Sequence, residues 1–581
     1  MKQFRLTIIL LVVFAALGAY VWFFERGEVS GPSAWKLDPA RIRRIELTAA
    51  GTTTVVERQG NSWRIVRPIS ARVARDRMKQ LLDLVARIEM RRGIEGAENL
   101  KDYGLAKPGA GIKVVLASGE ARELELGDRT PDGSAVYAAQ KVAAKGRPAR
   151  PKVFLADTAL LDEAIGGAAA LRDRTALPFK RADVARLILK RPEGSLVLEK
   201  RRKQWEIVTP VAAAADGIAV DDLLVSLGRL EASRFAAESA ADLGRYGLGA
   251  PRLVIEVAPS GAGKARSLAF GAETGAGEYY AQNSLEPAIM AVPKSAFDGV
   301  NKALAQLRSK QIAAIAVEEV QRVAIARGNQ RFELRREGEK RWMITAPRRI
   351  EADAQTVQDL LWELSDMRAQ GFVDSPGALP TYGLAPPQAA VTIYHTHGRQ
   401  PVRIWLGGAA PSNRIYVKAE GATLYEVPAE VLTRLPMSWV ALRNLTLLSY
   451  EPGEINRVRA VYDGKTLALE RKDTTWWLTE PRKRRANAER MQQLLSLIEN
   501  ARAERYLADV AEPGLPQRVG WDKGTLRLTV ETAGQAPKTL GVWKSDGETR
   551  LKLDGGDAVF LAPADFLNRL TDALSAVARD K

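Results

Sequence analysis

Apolar and polar positions along the chain follow one arrangement, written four times. Each copy opens on alternating residues: Ile42-Arg43-Arg44-Ile45 leads to Leu47 and Val55-Val56, and Val184-Ala185-Arg186-Leu187 leads to Ile188 and Leu196 to Leu198. The third and fourth copies open on Val320-Gln321-Arg322-Val323 and Ile455-Asn456-Arg457-Val458. Alternation of this kind predicts half-buried strands. A tryptophan strand follows in each copy, from Trp63 to Pro68, Trp205 to Pro210, Trp342 to Pro347 and Trp476 to Pro481. Its proline has no amide to donate to a ladder and ends it.

The period then changes. Met78, Leu81, Leu82 and Val85 lie at i, i+3, i+4 and i+7, as do Val220, Leu223, Leu224 and Leu227. Val357, Leu360, Leu361 and Leu364, then Met491, Leu494, Leu495 and Ile498, repeat the spacing. This predicts a helix with one face in the core. A Tyr-Gly-Leu turn comes next at Tyr103, Tyr246 and Tyr382, worn to Val519-Gly520-Trp521 in the fourth copy. Beyond it we expect a second sheet segment: a hairpin through Val114 to Leu116 and Leu124 to Gly127, then strands near Val136-Tyr137 and Val153 to Leu155. A closing helix, such as Ala296 to Leu307 or Ala564 to Leu574, precedes Leu171-Arg172, Leu307-Arg308 and Leu442-Arg443, where copies end.

Self-similarity at a fixed period fixes the domain count before any other reading. We expect units at 35–177, 178–311, 312–447 and 448–581, each α+β, with antiparallel sheets and packed helices, docked in series. Ahead of them, Lys2 and Arg5 precede an uncharged run from Leu6 to Phe24. As a helix that run is roughly 28 Å long, near the hydrocarbon thickness, with Tyr20 and Trp22 at its far end. The fold expected is therefore a transmembrane helix followed by four tandem units. Residues 1–26 form a cytoplasmic tip and anchor, 27–34 a linker, and the rest lies in the periplasm of a single-pass inner-membrane protein. A cleaved signal peptide ending at Ala16-Leu17-Gly18 is the rival, and the apolar run continues past it.

Composition adds constraints. A chain of 581 residues is too long for one core. The net charge of +17 calls for anionic surroundings, and the absence of cysteine excludes disulfides and thiolate chemistry. Basic residues cluster after the tryptophan-strand proline: Arg67 with Arg72, Arg348-Arg349, and Arg482, Lys483, Arg484 and Arg485. Lys145, Arg147, Arg150 and Lys152 form a basic, proline-rich loop found only in unit one. These are either a solvated face or a surface for anionic lipid or envelope polymer. Nucleic acid suits the charge but not the expected topology.

Other motifs have plain structural readings. Ser260-Gly261-Ala262-Gly263-Lys264 resembles part of a phosphate loop, yet it falls where the other copies have hairpin turns. His395-Thr396-His397 lies at the same turn, and the chain has no third histidine to complete a metal site. The tryptophans Trp63, Trp205, Trp342 and Trp476, and the tyrosines Tyr103, Tyr246 and Tyr382, read as core and turn residues rather than ligand platforms. No catalytic constellation stands out and no cofactor is expected; Asp221-Asp222, beside a Leu-Leu pair, are expected on the solvated face of their helix. Similar domains in series also favour binding surfaces over catalysis.

The order of these cassettes resembles the bacterial family of domain of unknown function 4340. Tyr103 to Pro108 and Tyr246 to Pro251 carry the Tyr-Gly-Leu-x-x-Pro element, Tyr382 to Pro387 carries it with an extra proline, and Val519 to Trp521 departs from it. The likeness covers most of the chain after the first apolar run. It supplies no catalytic residues. It implies a context: such proteins are typically found beside the membrane permease and ATPase of an ABC-type system related to gliding and export machinery. The function expected is thus a non-enzymatic, membrane-anchored accessory or substrate-contacting component of such a system. The alternatives are a binding module for an anionic envelope polymer or lipid surface and, third, an envelope hydrolase.

Overall fold

The computed structural model describes residues 33–579 except 98, 145–146, 262, 397, 452, 500, 510–525 and 557. Module one starts with β1 (Ser33–Lys36) and a meander of β2 (Ile42–Ala49), β3 (Thr52–Gln59), β4 (Ser62–Arg67) and β5 (Ala71–Arg72). Helix α1 (Arg75–Ala86), β6 (Arg87–Glu89) and β7 (Arg92–Gly93) lead to a second meander of β8 (Ala110–Leu116), β9 (Ala121–Arg129), β10 (Val136–Ala144) and β11 (Arg147–Ala156). Helix α2 (Thr158–Leu171) closes the module. Strand β2 hydrogen-bonds on both sides, to β3 and to β8, so the meanders fuse. The result is one nine-stranded antiparallel sheet in the order β5-β4-β3-β2-β8-β9-β10-β11-β7, and three further sheets repeat that order.

The α+β expectation is corrected here. Strand takes 46% and helix 22% of the structure, so each module is mostly sheet, and the two sheet segments expected in it are one wide sheet with helices packed on one face. The reason lies in the opening strand. Its Ile42 and Ile45 both point into the core although three residues apart, which a plain strand forbids. A bulge between Ile42 and Arg44 resolves the conflict, and the same register shift recurs at Val184/Arg186, Val320/Arg322 and Ile455/Arg457.

The core of module one lies between sheet and helices. Ile45, Leu47, Val56 and Ile65 from the first meander meet Ile112, Val114, Leu124 and Phe154 from the second. Met78, Leu81 and Val85 of α1, with Leu160 and Leu161 of α2, cover them. Each such side chain contributes about 1.5–3 kcal/mol by leaving water. The other cores carry the same helical set: Val220, Leu223, Leu224 and Leu227 in the second, for example. The peptide bonds preceding Pro68, Pro210, Pro347 and Pro481 are cis.

On the opposite face, the Tyr-Gly-Leu turn packs edge-on against a strand tyrosine. Ring centroids lie 5.0 Å apart for Tyr103–Tyr137, 5.0 Å for Tyr246–Tyr280 and 4.9 Å for Tyr382–Tyr416. Gly104, Gly247 and Gly383 hold φ near +68°, +68° and +63°. A side chain on Gly127, Gly271 or Gly407 would run into the carbonyl oxygen of the turn tyrosine. Module four keeps this face closed differently. Trp543 stands where the others have that second glycine, and packs on Val559, Leu507 and Ala508.

The chain divides into two compact units between Ser309 and Lys310, each holding two modules. Further expectations need correction. Among the described residues no helix is long and apolar enough to cross a membrane, and the anchor expected at 6–24 lies outside the described residues. The single-pass inner-membrane placement is withdrawn with it. The basic loop expected at 145–152 is largely strand, since β11 runs from Arg147 and pairs with β10. The closing helix of module two is broken into Lys294–Val300 and Leu304–Leu307. Val519 to Trp521 lie outside the described residues.

Candidate functional site

Within each compact unit the linker between modules is hydrogen-bonded to both of them. From module one to two, Asp173 N–H donates to Arg72 at 2.9 Å, Ala176 N–H to Leu230 at 2.8 Å, and Ala232 N–H to Arg174 at 2.8 Å. From module three to four, Asn444 N–H donates to Glu351 at 3.0 Å, Leu447 N–H to Ala501 at 2.9 Å, and Ala503 N–H to Leu445 at 2.8 Å. The two junctions share one design.

An arginine at the end of the leading module anchors each junction. Arg172 is buried, its Nη1 donates to Glu238 at 2.7 Å, and its guanidinium carbon lies 3.2 Å from the Phe235 ring centroid. Phe235 sits on the edge strand Arg234–Ala237 of module two. At the second junction Arg443, also buried, lies 5.0 Å from the Tyr506 ring and 5.1 Å from the Phe560 ring. Tyr506 again sits on an edge strand, Arg505–Asp509. A planar, weakly hydrated guanidinium suits this role, because it can stack on a ring while its fork reaches a carboxylate.

Further polar contacts surround each anchor. Glu286, nearly buried, accepts from the Arg72 backbone amide at 2.9 Å and lies 3.4 Å from Arg72 Nε and 3.8 Å from Arg64 Nη1. Arg348 pairs with Asp509 at 2.6 Å and lies 5.5 Å from the Trp439 ring. Arg502 pairs with Asp353 at 2.7 Å. Burial opposes ionisation of Asp353, but the Thr356 amide and Arg502 together hold its carboxyl below the usual range. Burial, and then the bond to Asp509, push the Tyr506 hydroxyl well above the usual phenol range. These groups are fixed in one charge state near neutral pH, as befits a joint rather than a proton-transfer site.

The basic residues singled out from sequence are dispersed. Arg348 is engaged at the junction, Arg349 pairs with Glu337 at 2.5 Å, and Arg484 donates to the carbonyls of Val577 and Arg579 at the end of the last helix. Arg482, Lys483 and Arg485 are exposed and form no ion pair among the described residues. Arg147 and Arg150 lie in β11, Lys152 is exposed beside them, and Lys145 lies outside the described residues. The structure does not gather these into one site.

Trp205 and Trp342 are 6% exposed within their cores, while Trp63 and Trp476 pack half-buried against theirs. Ser260 to Lys264, of which Ala262 lies outside the described residues, fall between the strands Leu253–Pro259 and Arg266–Glu273. His395 ends the strand Ala389–His395, where burial lowers its pKa; His397 lies outside the described residues. A cleft of about 820 Å³ opens in module one beside the kink at Gly167, with Lys107 and Asp128 on a wall of mostly small residues that also includes Leu161 and Ile165.

Two sets of residues escaped the sequence reading. The recurrent Leu-Arg was visible, yet it read as a boundary mark, because its partners Phe235, Glu238, Tyr506 and Asp509 come from the following copy. The arginine of each opening motif also has a role: Arg44, Arg186, Arg322 and Arg457 pair with Glu57, Glu199, Glu333 and Glu470 at 3.1, 3.6, 3.7 and 3.4 Å.

A family described as "Domain of unknown function (DUF4340)" matches residues 63–207, 205–375 and 342–518. Each match begins at the tryptophan of one module and crosses the linker into the next. No curated protein matches the chain significantly.

Proposed function

We propose, from the premise that this chain belongs to the DUF4340 family, that it is a non-enzymatic scaffold, the accessory or substrate-contacting component of an ABC-type transport system. The observation that carries this reading is the junction itself. The arginine that ends a module is committed to the next module, at Arg172 and again at Arg443. Side chains that fix neighbouring domains against each other serve a protein whose task is to hold surfaces at set positions. The transporter association comes from the family resemblance, and the junction gives it a physical form: a jointed pair of sheets in each compact unit that can contact a permease or its cargo.

Affinity purification of the full chain, followed by mass spectrometry, tests the proposal. A permease and an ATPase should travel with the wild-type protein and be depleted when Arg172→Ala and Arg443→Ala are combined. If neither protein is recovered with the wild type, the transporter role is wrong. If both are recovered equally with the double variant, the junctions are not what presents the binding surface.

A further inference from the structure

The four modules provide their own comparison, since equivalent positions on the solvent face of each sheet can be aligned by register. In modules one, two and four the opening-motif arginine lies directly opposite a glutamate: Arg44 opposite Glu57, Arg186 opposite Glu199, Arg457 opposite Glu470. Module three breaks the rule. Arg322 lies opposite Arg335. Two like charges facing each other across strands are unfavourable, and the carboxylate that pairs with Arg322, Glu333 at 3.7 Å, stands one row away rather than opposite it.

The other flank of Arg322 also departs. Its neighbour is Tyr394, where the other modules have Val115, Ala258 and Glu531. The guanidinium carbon of Arg322 lies 3.8 Å from that ring centroid. The next rows place Ala324 beside Thr392 and Arg403, then Arg331, Ala326, Ala390, Trp405 and Lys418 in line. At strand spacings this face is roughly 13 Å by 19 Å. It has a floor of alanines, a half-buried tryptophan, and five cations against Glu333. Arg331, Arg335 and Arg403 are exposed and form no ion pair among the described residues. The same rows of module one carry Glu46, Glu57, Glu123 and Glu125 against Arg44 and Lys113.

We infer that this face of module three binds an acidic polysaccharide. Guanidinium forks match sugar carboxylates in pairs, the indole of Trp405 offers a flat apolar surface to a sugar ring, and the alanine floor lets a chain lie close to the sheet. Thr392 and Glu333 supply partners for sugar hydroxyls. A single-stranded nucleic acid fits less well. Successive bases need successive open rings, and here the Arg322 guanidinium lies on Tyr394, leaving Trp405. The inference stands apart from the scaffold reading, and either can fail alone.

Fluorescence polarisation on the full chain, with a labelled alginate oligomer as the probe, tests it against neutral dextran and oligo(dT) of similar length. Alginate should bind, weaken with added salt, and exceed both comparators. Arg335→Glu restores the carboxylate that the other modules have, so the variant should fold at least as stably while alginate affinity falls at least about tenfold. Trp405→Ala should weaken alginate binding by a similar factor, and Lys113→Glu in module one should leave it unchanged. Dextran binding equal to alginate, or wild-type affinity in both Arg335→Glu and Trp405→Ala, overturns the inference. Tighter binding of oligo(dT), lost in the same variants, also overturns it and makes nucleic acid the occupant.

Discussion

Replacing Arg172 by alanine should uncouple modules one and two without unfolding either. Three contributions are lost. The bond to Glu238 is charge-assisted, but Glu238 is 49% exposed and rehydrates readily, so that pair is worth about 1 kcal/mol. The desolvated stack on Phe235 adds about 1–2 kcal/mol. The buried aliphatic stem adds packing, which Arg172→Met would largely keep. Because the parts share one side chain they do not add fully, and about 2–3 kcal/mol is expected for alanine. Hydrogen exchange on the full chain reads this directly. The junction amides of Asp173, Ala176 and Ala232 should exchange about 30- to 150-fold faster, while amides in the sheet cores keep their protection. Arg172→Met should produce a smaller rise. If linker protection is unchanged in Arg172→Ala, the arginine does not hold the joint and the account of the junction is wrong.

The second junction should respond to acid. The Asp353 carboxyl is held below its ordinary value of 3.8, so its contribution is complete above that pH and disappears as pH falls through the lower folded-state value. Junction amides at Leu447 and Ala503 should therefore lose protection at strongly acidic pH, and Asp353→Asn, which keeps a helix-capping oxygen, should flatten that dependence. In module two, Gly271→Ala should destabilise the protein by at least about 2 kcal/mol, because the new methyl meets the Tyr246 carbonyl. Thermal unfolding measures the loss; an unchanged midpoint would mean that the Tyr-Gly-Leu turn is free to move away.

Within each module, the strands, the amphipathic helix and the turn were legible because each leaves a short-range period or a turn residue. What the periods could not convey is long-range pairing. Nothing local in Ile42–Ala49 announces that it will accept partners on both edges, so the two meanders read as separate segments. The bulge was hidden in plain view: a three-residue spacing of core residues where a strand demands two. Basic runs were the least informative signal. Arg348 and Arg349 are adjacent in sequence yet pair with Asp509 and Glu337, on different elements. The face of module three was missed for the opposite reason, since Arg335, Tyr394, Arg403 and Trp405 are scattered in sequence and meet only through register.

The outermost strands of the sheets are short. Ala71–Arg72 and Arg92–Gly93 bound the first sheet, and the edges of the others run from two residues at Ala213–Ala214 and Arg484–Arg485 to five at Arg505–Asp509. Such stubs offer few free amides and carbonyls to a stray strand, so a sheet of this kind resists growing sideways into an aggregate. A module added in tandem would add two sheet edges to the chain. Here a copied module would arrive with its borders already blunted, carrying both the arginine that reaches forward and the edge-strand ring that receives the arginine before it.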